Sequence, residues 1–355
     1  MFNDFYQNKR VFLTGHTGFK GSWMAEWLLE LGAEVHGFAL DPQPHEILFD
    51  QLGLSQRLAS DTRADLADRS ALEKAFANAK PDIVFHLAAQ PLVRLSYDIP
   101  VETFATNVMG TAHVLDVVKL SDQSCSVVCI TTDKCYENRE WLHAYREEDA
   151  MGGHDPYSAS KGAAELVISS YRRSFFPAEG RVRLASARAG NVIGGGDWAL
   201  DRIVPDCIRA LRNNQAIPVR NKIATRPWQH VLEPIGGYLT LGAALASSAS
   251  PANLASAFNF GPALTSNRTV AELVAELLQH ISGEWIDASD PNAVHEASKL
   301  NLAIDKAFHL LQWQPVWNFE QTIARTAEWY LGEAEGQDPR ELTLRQIQAY
   351  QNATK

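Results

Sequence analysis

The stretch TGHTGFKG, residues 14–21, restricts the possible folds of this chain more than any other. Gly15, Gly18 and Gly21 stand at G-x-x-G-x-x-G spacing. The β-type run RVFLT (10–14) precedes them. GSWMAEWLLELG follows, with Trp23, Trp27 and Leu31 at helical spacing and Gly32 as a stop signal. Glycine allows a tight turn and lets backbone N–H groups approach a pyrophosphate, while the helix N-terminus adds partial positive charge. A glycine triplet alone is weak evidence; its strand–turn–helix setting makes it a dinucleotide-binding signature.

The same rhythm continues. EVHGFAL (34–40), DIVFHLA (82–88), SVVCITT (126–132) and RVRLASAR (181–188) read as strands. RSALEKAFANA (69–79), VETFATNVMGTAHVLDVVKL (101–120) and PYSASKGAAELVISSYRRSF (156–175) read as helices. Strand alternating with helix requires parallel strands and crossover helices, hence an α/β, Rossmann-type doubly wound parallel sheet. After residue 188 the rhythm weakens, leaving short helices at 203–213 and 269–282 and a surface loop at 247–256. The chain therefore divides into an NAD-binding Rossmann domain at 1–188 and a smaller, loop-rich substrate domain at 189–355, with allowance for the chain to cross back. The polar C-terminal stretch EGQDPRELTLRQIQAYQNATK is expected to be a loosely held extension.

A net charge of -10 argues against nucleic acid or anionic lipid as partner. No segment reaches the ~18 apolar residues of a membrane span, and MFNDFYQNKR lacks a signal core. The four cysteines have no zinc-like spacing, so no metal is expected, and Cys125 and Cys129 read as buried thiols. These features point to a reduced, cytoplasmic protein.

Candidate chemistry clusters at strand ends. Asp41 lies two residues past the second strand, where an acid reads a cofactor ribose; a plain turn before Pro42 is the other reading. No arginine occurs from 22 to 56, which favours NAD over NADP. Asp65 is placed either to accept from the adenine amine or to cap a helix. Tyr157 and Lys161 of YSASK share a helical face. A phenol with pKa ~10 is a poor base at neutral pH, and a nearby ammonium brings it closer to working range. TTDKCYEN (131–138) adds the Thr132 hydroxyl, the acid Asp133 and the amine Lys134.

The glycine motif, Asp65, HLAAQ (86–90), TTDK and YSASK resemble the extended short-chain dehydrogenases that act on nucleotide sugars. More narrowly, LAAQPLVRLSYDIPVETFATNVMGT, TTDKCYENREW, GGHDPYSASKG, ARAGNVIGGGDWALDRIVPD and TRPWQHVLEP resemble the CDP-glucose 4,6-dehydratase family, from about residue 8 to 330. The resemblance implies oxidation at sugar carbon 4, loss of water across carbons 5 and 6, and hydride return to carbon 6, with NAD regenerated each turnover. It assigns the carbon 4 proton to Tyr157, assisted by Lys161 and Thr132. Asp133 is the acid and Lys134 the base of the elimination, where dTDP-glucose dehydratases carry an Asp-Glu pair. Opposite charges ~4 Å apart attract by ~4 kcal/mol at an effective dielectric of 20. Substrate burial is therefore expected to move the proton from Lys134 to Asp133.

The resemblance further implies cofactor contacts from Thr17, Phe19, Leu66, Leu87, Ala88, Ala89 and Thr106, besides Gly15, Gly18, Gly21, Asp41, Asp65, Tyr157 and Lys161. CDP-glucose is expected against Gln90, Asn191, Arg202, Arg220, Arg226 and His230. Asn191 would donate to the diphosphate, and Arg202 and Arg226 would clamp it. Trp228 either stacks on cytosine or is buried. His230 reads more readily as a structural histidine than as a proton carrier. Gly194–Gly196 are expected to let the chain turn tightly beside the bulky ligand, with Asp197 pairing one of the arginines. Asn107 is a candidate for fixing the next strand's loop, and NFGP (259–262) is a nucleotide contact or a turn. A homodimer or homotetramer through the helices at 101–120 and 156–175 completes the expectation.

Overall fold

β-branched and aromatic runs that are apolar on both faces can only be satisfied inside a layered sheet, and the computed structural model, which describes residues 2–44, 47–289 and 299–354, places them there. The strands are β1 (Arg10–Thr14), β2 (Glu34–Ala39), β3 (Ser60–Arg63), β4 (Ile83–His86), β5 (Cys125–Ile130) and β6 (Val182–Ala189). A seventh strand, Ala257–Phe260, pairs with β6, so it lies past the boundary read at 188 and returns to the same sheet. The order is Ala257–Phe260, β6, β5, β4, β1, β2, β3, every pairing parallel. The order reverses between β1 and β4, which opens the switch-point crevice where such sheets bind ligands.

One face of the sheet is covered by the first helix, α1 (Phe19–Glu30), and by Leu232–Ser247, around Trp23, Trp27, Ile235 and Leu239. The other face is covered by Arg69–Ala79, Gly110–Leu120 and Pro156–Ser174, around Phe76, Leu115 and Ile168. The helix read at 101–120 is interrupted. Pro100–Phe104 runs into a π-type turn at Ala105–Met109 before Gly110–Leu120 resumes. Such wide turns re-aim a side chain, and here Asn107 points inward. Its amide donates to Gln90 O at 3.1 Å and Ser160 Oγ at 2.9 Å, and its oxygen accepts from Gln90 N at 2.8 Å. Asn107 thus fixes the loop after the preceding strand, β4, rather than the next one.

Two further expectations are corrected. Asn259 and Phe260 are buried members of the seventh strand, and Asn259 accepts from Tyr136 Oη at 2.7 Å. These two are strand residues rather than a turn, and only Gly261 and Pro262 lie beyond the strand end. The C-terminal stretch is a docked helix, Pro339–Ala353, capped by Asp338. Ile347 and Tyr350 are fully buried, and the Tyr350 ring meets Trp27 and Trp317 edge-on. Only a narrow stripe of this helix is buried, Leu342, Thr343, Gln346, Ile347 and Tyr350, which is why the stretch as a whole reads as polar.

Candidate active site

Gly15 turns at φ 75°, and a Cβ there would sit 2.7 Å from Ala88 N, inside the β1–β4 crevice. Gly18 is the N-cap of α1 and brings no side-chain cap. The Thr17 hydroxyl donates to Leu40 O at 3.1 Å, holding the turn against the end of β2. These residues leave a bare-backbone cradle at a helix N-terminus, the arrangement a dinucleotide pyrophosphate requires. Phe19, Leu87, Ala88, Ala89 and Thr106 are half-buried, Leu87 and Ala88 against Gly15, and Leu66 is buried against Gly110. Asp65 is exposed and accepts from Ala67 N at 2.8 Å; the cap of Arg69–Ala79 is Asp68. Asp41 is exposed and lies 3.7 Å from Arg63, an arginine that the 22–56 window missed because β3 delivers it.

The reactive side chains meet at the carboxyl end of β5. Asp155 caps Pro156–Ser174 by accepting from Ser158 N, and Pro156 opens the first turn. This sets the buried Tyr157 on a helix that packs against the turn carrying Asp133 and Lys134. Burial holds the phenol well above its ordinary 10; Thr132 lowers it, Asp133 raises it and Arg202 lowers it. Arg202, expected as a diphosphate clamp, is thus the leading cation acting on Tyr157. Lys161 turns its ammonium to Ile130 O at 3.4 Å, and burial brings it down to about 8 while Glu165 raises it.

Thr132 Oγ1 donates to Asp133 Oδ1 at 2.9 Å, and Lys134 Nζ stands 3.8 Å from the same oxygen. Lys134 also donates to Asn191 Oδ1 at 3.2 Å. Asn191 therefore spends its carbonyl on Lys134. A Cβ at Gly190 would lie 2.9 Å from Asp133 Oδ2, so the bare backbone there makes room for the acid. Hydroxyl, acid and amine form one connected set, and the phenol sits on the helix packed against their turn.

Beneath this set lies Glu165, which the motif reading missed. Its carboxylate is buried and accepts from Thr131 Oγ1 at 2.5 Å, Ser186 Oγ at 2.9 Å and Arg188 Nη2 at 2.9 Å. One acid thus ties the helix of Tyr157 and Lys161 to β6 and to the turn carrying Thr132. Its sequence signal was its place one turn past Lys161 on the same helical face. Lys20, inside the glycine motif, was also missed. Its ammonium reaches Tyr238 Oη at 3.4 Å, and burial, then Arg202 and Lys161, bring it down to about 7 against the pull of Asp133.

The expected sugar-nucleotide residues divide. Gln90 is half-buried at the crevice, its amide donating to Thr103 Oγ1 at 2.9 Å. Arg202 pairs with Asp197 at 2.8 Å, and Arg220 pairs with Asp201 and Asp206. Arg226 is buried on a strand, Thr225–Pro227, and donates to Thr225 O. His230 stands apart, fully buried between Trp23 and Trp317; burial takes it down to about 3, and its Nε2 has no partner among the described residues. Trp228 is buried too, with its indole N–H donating to Arg268 O at 3.0 Å. The triple glycine does turn tightly, with Gly196 at φ 78°, but against the protein's own core. A Cβ at Gly195 would lie 2.0 Å from the Trp329 ring, and one at Gly196 2.6 Å from Leu48. The bare backbone there accommodates the protein's own aromatic core. All four cysteines are buried and free. Among the described residues no group of three acids, histidines or cysteines could hold a metal, and no helix is long and apolar enough to cross a membrane.

The sequence profile of GDP-mannose 4,6 dehydratase matches residues 12–326. The chain is 48% identical to CDP-glucose 4,6-dehydratase of Salmonella typhimurium, over 99% of this chain and 98% of that protein. It is 25% identical to the dTDP-D-glucose 4,6-dehydratase of Bos taurus, over 91% of this chain and 88% of that one. Among solved structures, a dTDP-glucose 4,6-dehydratase from Streptomyces venezuelae with NAD and TYD bound superposes with TM-score 0.78 at 22% identity, covering 93% of this chain and 99% of that one. A UDP-glucose 4-epimerase from Thermotoga maritima gives 0.77 at 20%, covering 92% and 99%. At those identities the structural likeness speaks to the fold.

Proposed function

This chain belongs to the GDP-mannose 4,6-dehydratase family, and from that premise we propose that it converts CDP-D-glucose to CDP-4-dehydro-6-deoxy-D-glucose and water, with NAD as a bound, regenerated cofactor. The observation that carries the reading is the Asp133–Lys134 pair, bonded to Thr132 on the turn against which the helix of Tyr157 packs. An epimerase needs no acid–amine pair beside its phenol.

NAD would supply a reversible hydride acceptor for the carbon 4 and carbon 6 ends of the reaction. Gly15, Thr17, Gly18, Phe19, Gly21, Leu66 and Ala88 would hold it, with Lys161 on the nicotinamide side. Tyr157 Oη removes the carbon 4 hydroxyl proton while Thr132 orients that oxygen. The resulting ketone acidifies carbon 5. Lys134 Nζ takes the carbon 5 proton, and Asp133 protonates the departing carbon 6 hydroxyl, which leaves as water; hydride return to carbon 6 is completed by a proton, exchanged with solvent, delivered back to carbon 5. Lys134 must enter that step neutral and Asp133 protonated, so closing the sugar over the pair moves one proton from amine to acid. Residues past 188 supply the nucleotide side of the cleft: Asn191 and the arginines Arg202, Arg220 and Arg226 are the candidate diphosphate ligands.

The exposed apolar side chains Val101, Phe104, Met109 and Leu166 lie on the segments expected to join subunits, which supports a homodimer or homotetramer. The free thiols suit a reducing cytoplasm. The reaction is tested by incubating the protein with CDP-glucose and NAD in heavy water and recording the product by NMR. A 6-deoxy-4-keto sugar with deuterium at carbon 5 is expected. An epimerised sugar without deoxygenation, or turnover only of dTDP-, UDP- or GDP-glucose, would refute the reading.

A further inference from the structure

The turn that carries Asp133 and Lys134 is anchored at both ends through a buried cation outside the reacting set. Arg188 sits on β6 one residue past Ala187, which pairs with Ile130, the last residue of β5, and it lies opposite Asn259 of the seventh strand. The parallel register therefore brings its guanidinium to the chain that leaves β5. Nη2 donates to Glu165 Oε2 at 2.9 Å, and Glu165 Oε1 takes the Thr131 hydroxyl at 2.5 Å. Nη1 donates to Tyr136 Oη at 2.7 Å and to Glu147 O at 3.0 Å. The Tyr136 phenol donates in turn to Asn259 Oδ1 at 2.7 Å, and its ring stacks on Tyr145, 5.2 Å between centroids. Burial, against the pull of Arg188, pushes that phenol above its ordinary 10, so it remains a donor. Thr131, Glu165, Arg188 and Tyr136 thus form a ring closed by the turn itself, and Thr132, Asp133 and Lys134 lie on the span between its two ends.

The two ends hold different chemistry. The front end, at Thr131, is fixed by Glu165, which lies one turn past Lys161 on the helix of Tyr157. The back end, at Tyr136, is held by β6 and the seventh strand, two residues from Lys134. Loosening the back end shifts Lys134 and Asp133 against the sugar and leaves Tyr157 and Lys161 on their own helix. Proton transfer needs heavy atoms within hydrogen-bond reach, and a misplacement of about 1 Å can cost on the order of a hundredfold in rate.

We propose that Tyr136 is a positioning residue for the elimination: its hydroxyl, set between Arg188 and Asn259, holds Lys134 and Asp133 in line with carbons 5 and 6, and its loss slows elimination without slowing oxidation. The proposal rests on the dehydration reading above. The phenol is fully buried among Arg188, Asn259 and Tyr145, so it acts through the turn rather than on the sugar.

The test compares the full chain, Tyr136→Phe and Tyr145→Phe with CDP-glucose and NAD in heavy water, with rates normalised to the folded fraction found by urea unfolding. Phenylalanine at 136 keeps the ring on Tyr145 and removes only the hydroxyl. Tyr145→Phe removes a hydroxyl of the same stack, one that bonds Arg139 N and Asn138 instead of Arg188. Rapid mixing reads reduced nicotinamide by its near-ultraviolet absorbance, and NMR reads deuterium at carbon 5 and the 6-deoxy product. For Tyr136→Phe the reduced cofactor is expected to form at the parent rate and accumulate, while deuterium entry and product slow roughly tenfold to a hundredfold. Tyr145→Phe should match the parent. Should Tyr136→Phe fail to fold, Asn259→Ser, which takes away the phenol's acceptor, should show the same split. Unslowed elimination, equal slowing of both steps, or the same split in Tyr145→Phe would overturn the proposal. A parent chain that makes no 6-deoxy-4-keto sugar would overturn the function reading and this proposal with it.

Discussion

Glu233 is fully buried on the helix Leu232–Ser247 and has no cation against it among the described residues. Its carboxylate accepts from Trp317 N at 2.7 Å, Val316 N at 3.0 Å and Tyr350 Oη at 2.8 Å. Glu26, equally buried, instead bonds Arg57 and Arg340. Burial raises the Glu233 carboxyl from 4.5 to about 7, with the three hydrogen bonds opposing the rise. The folded chain therefore binds a proton that the unfolded chain has released between pH 4.5 and 7. Stability from this group is full below the unfolded value and falls as pH rises to about 7. At ~1.36 kcal/mol per pH unit the loss is about 3 kcal/mol. Glu233→Gln removes the titration. Its carbonyl keeps the Trp317 N–H, and its amide must turn to the Tyr350 oxygen, a rearrangement costing about 1 kcal/mol. Urea unfolding followed by tryptophan fluorescence at a series of pH values measures the difference. The variant should be about 1 kcal/mol less stable near pH 5 and about 2 kcal/mol more stable at pH 8. A difference between variant and parent that stays constant across that range would refute the reasoning.

Three other outcomes follow. Lys134→Met should stop exchange of the carbon 5 proton while sparing the oxidation at carbon 4; exchange at the parent rate in heavy water would remove Lys134 from the elimination. Gly15→Ala places a Cβ 2.7 Å from Ala88 N at φ 75°, and should cost more than ~2 kcal/mol and weaken NAD binding, read by denaturation and by titration with NAD. Glu165→Gln leaves the buried Arg188 short of an anion and should cost ~3–5 kcal/mol, most of it recovered when Arg188→Met is added. A double variant whose loss in urea equals the sum of the Glu165→Gln and Arg188→Met losses would show the pair to be uncoupled.

The NAD-binding half was legible because its signals are local. The glycine spacing of residues 15–21, the strand runs and the Asp155–Pro156 helix start depend on backbone geometry within a few residues, and the Tyr157–Lys161 face depends on one helical turn. Functions set by long-range approach were not legible. Gly195 reads as ligand clearance until Trp329 is seen against it, 134 positions later. Arg63 is silent in sequence because parallel pairing, not proximity along the chain, brings β3 beside the end of β2. His230 reads as either a ligand or a core residue until Trp23 and Trp317 enclose it. Chain chemistry alone determined which elements form and which side chains can carry protons. Tertiary packing decided which of those side chains share one low-dielectric pocket, because burial and partner distance, rather than residue type, set whether a charge is available for chemistry.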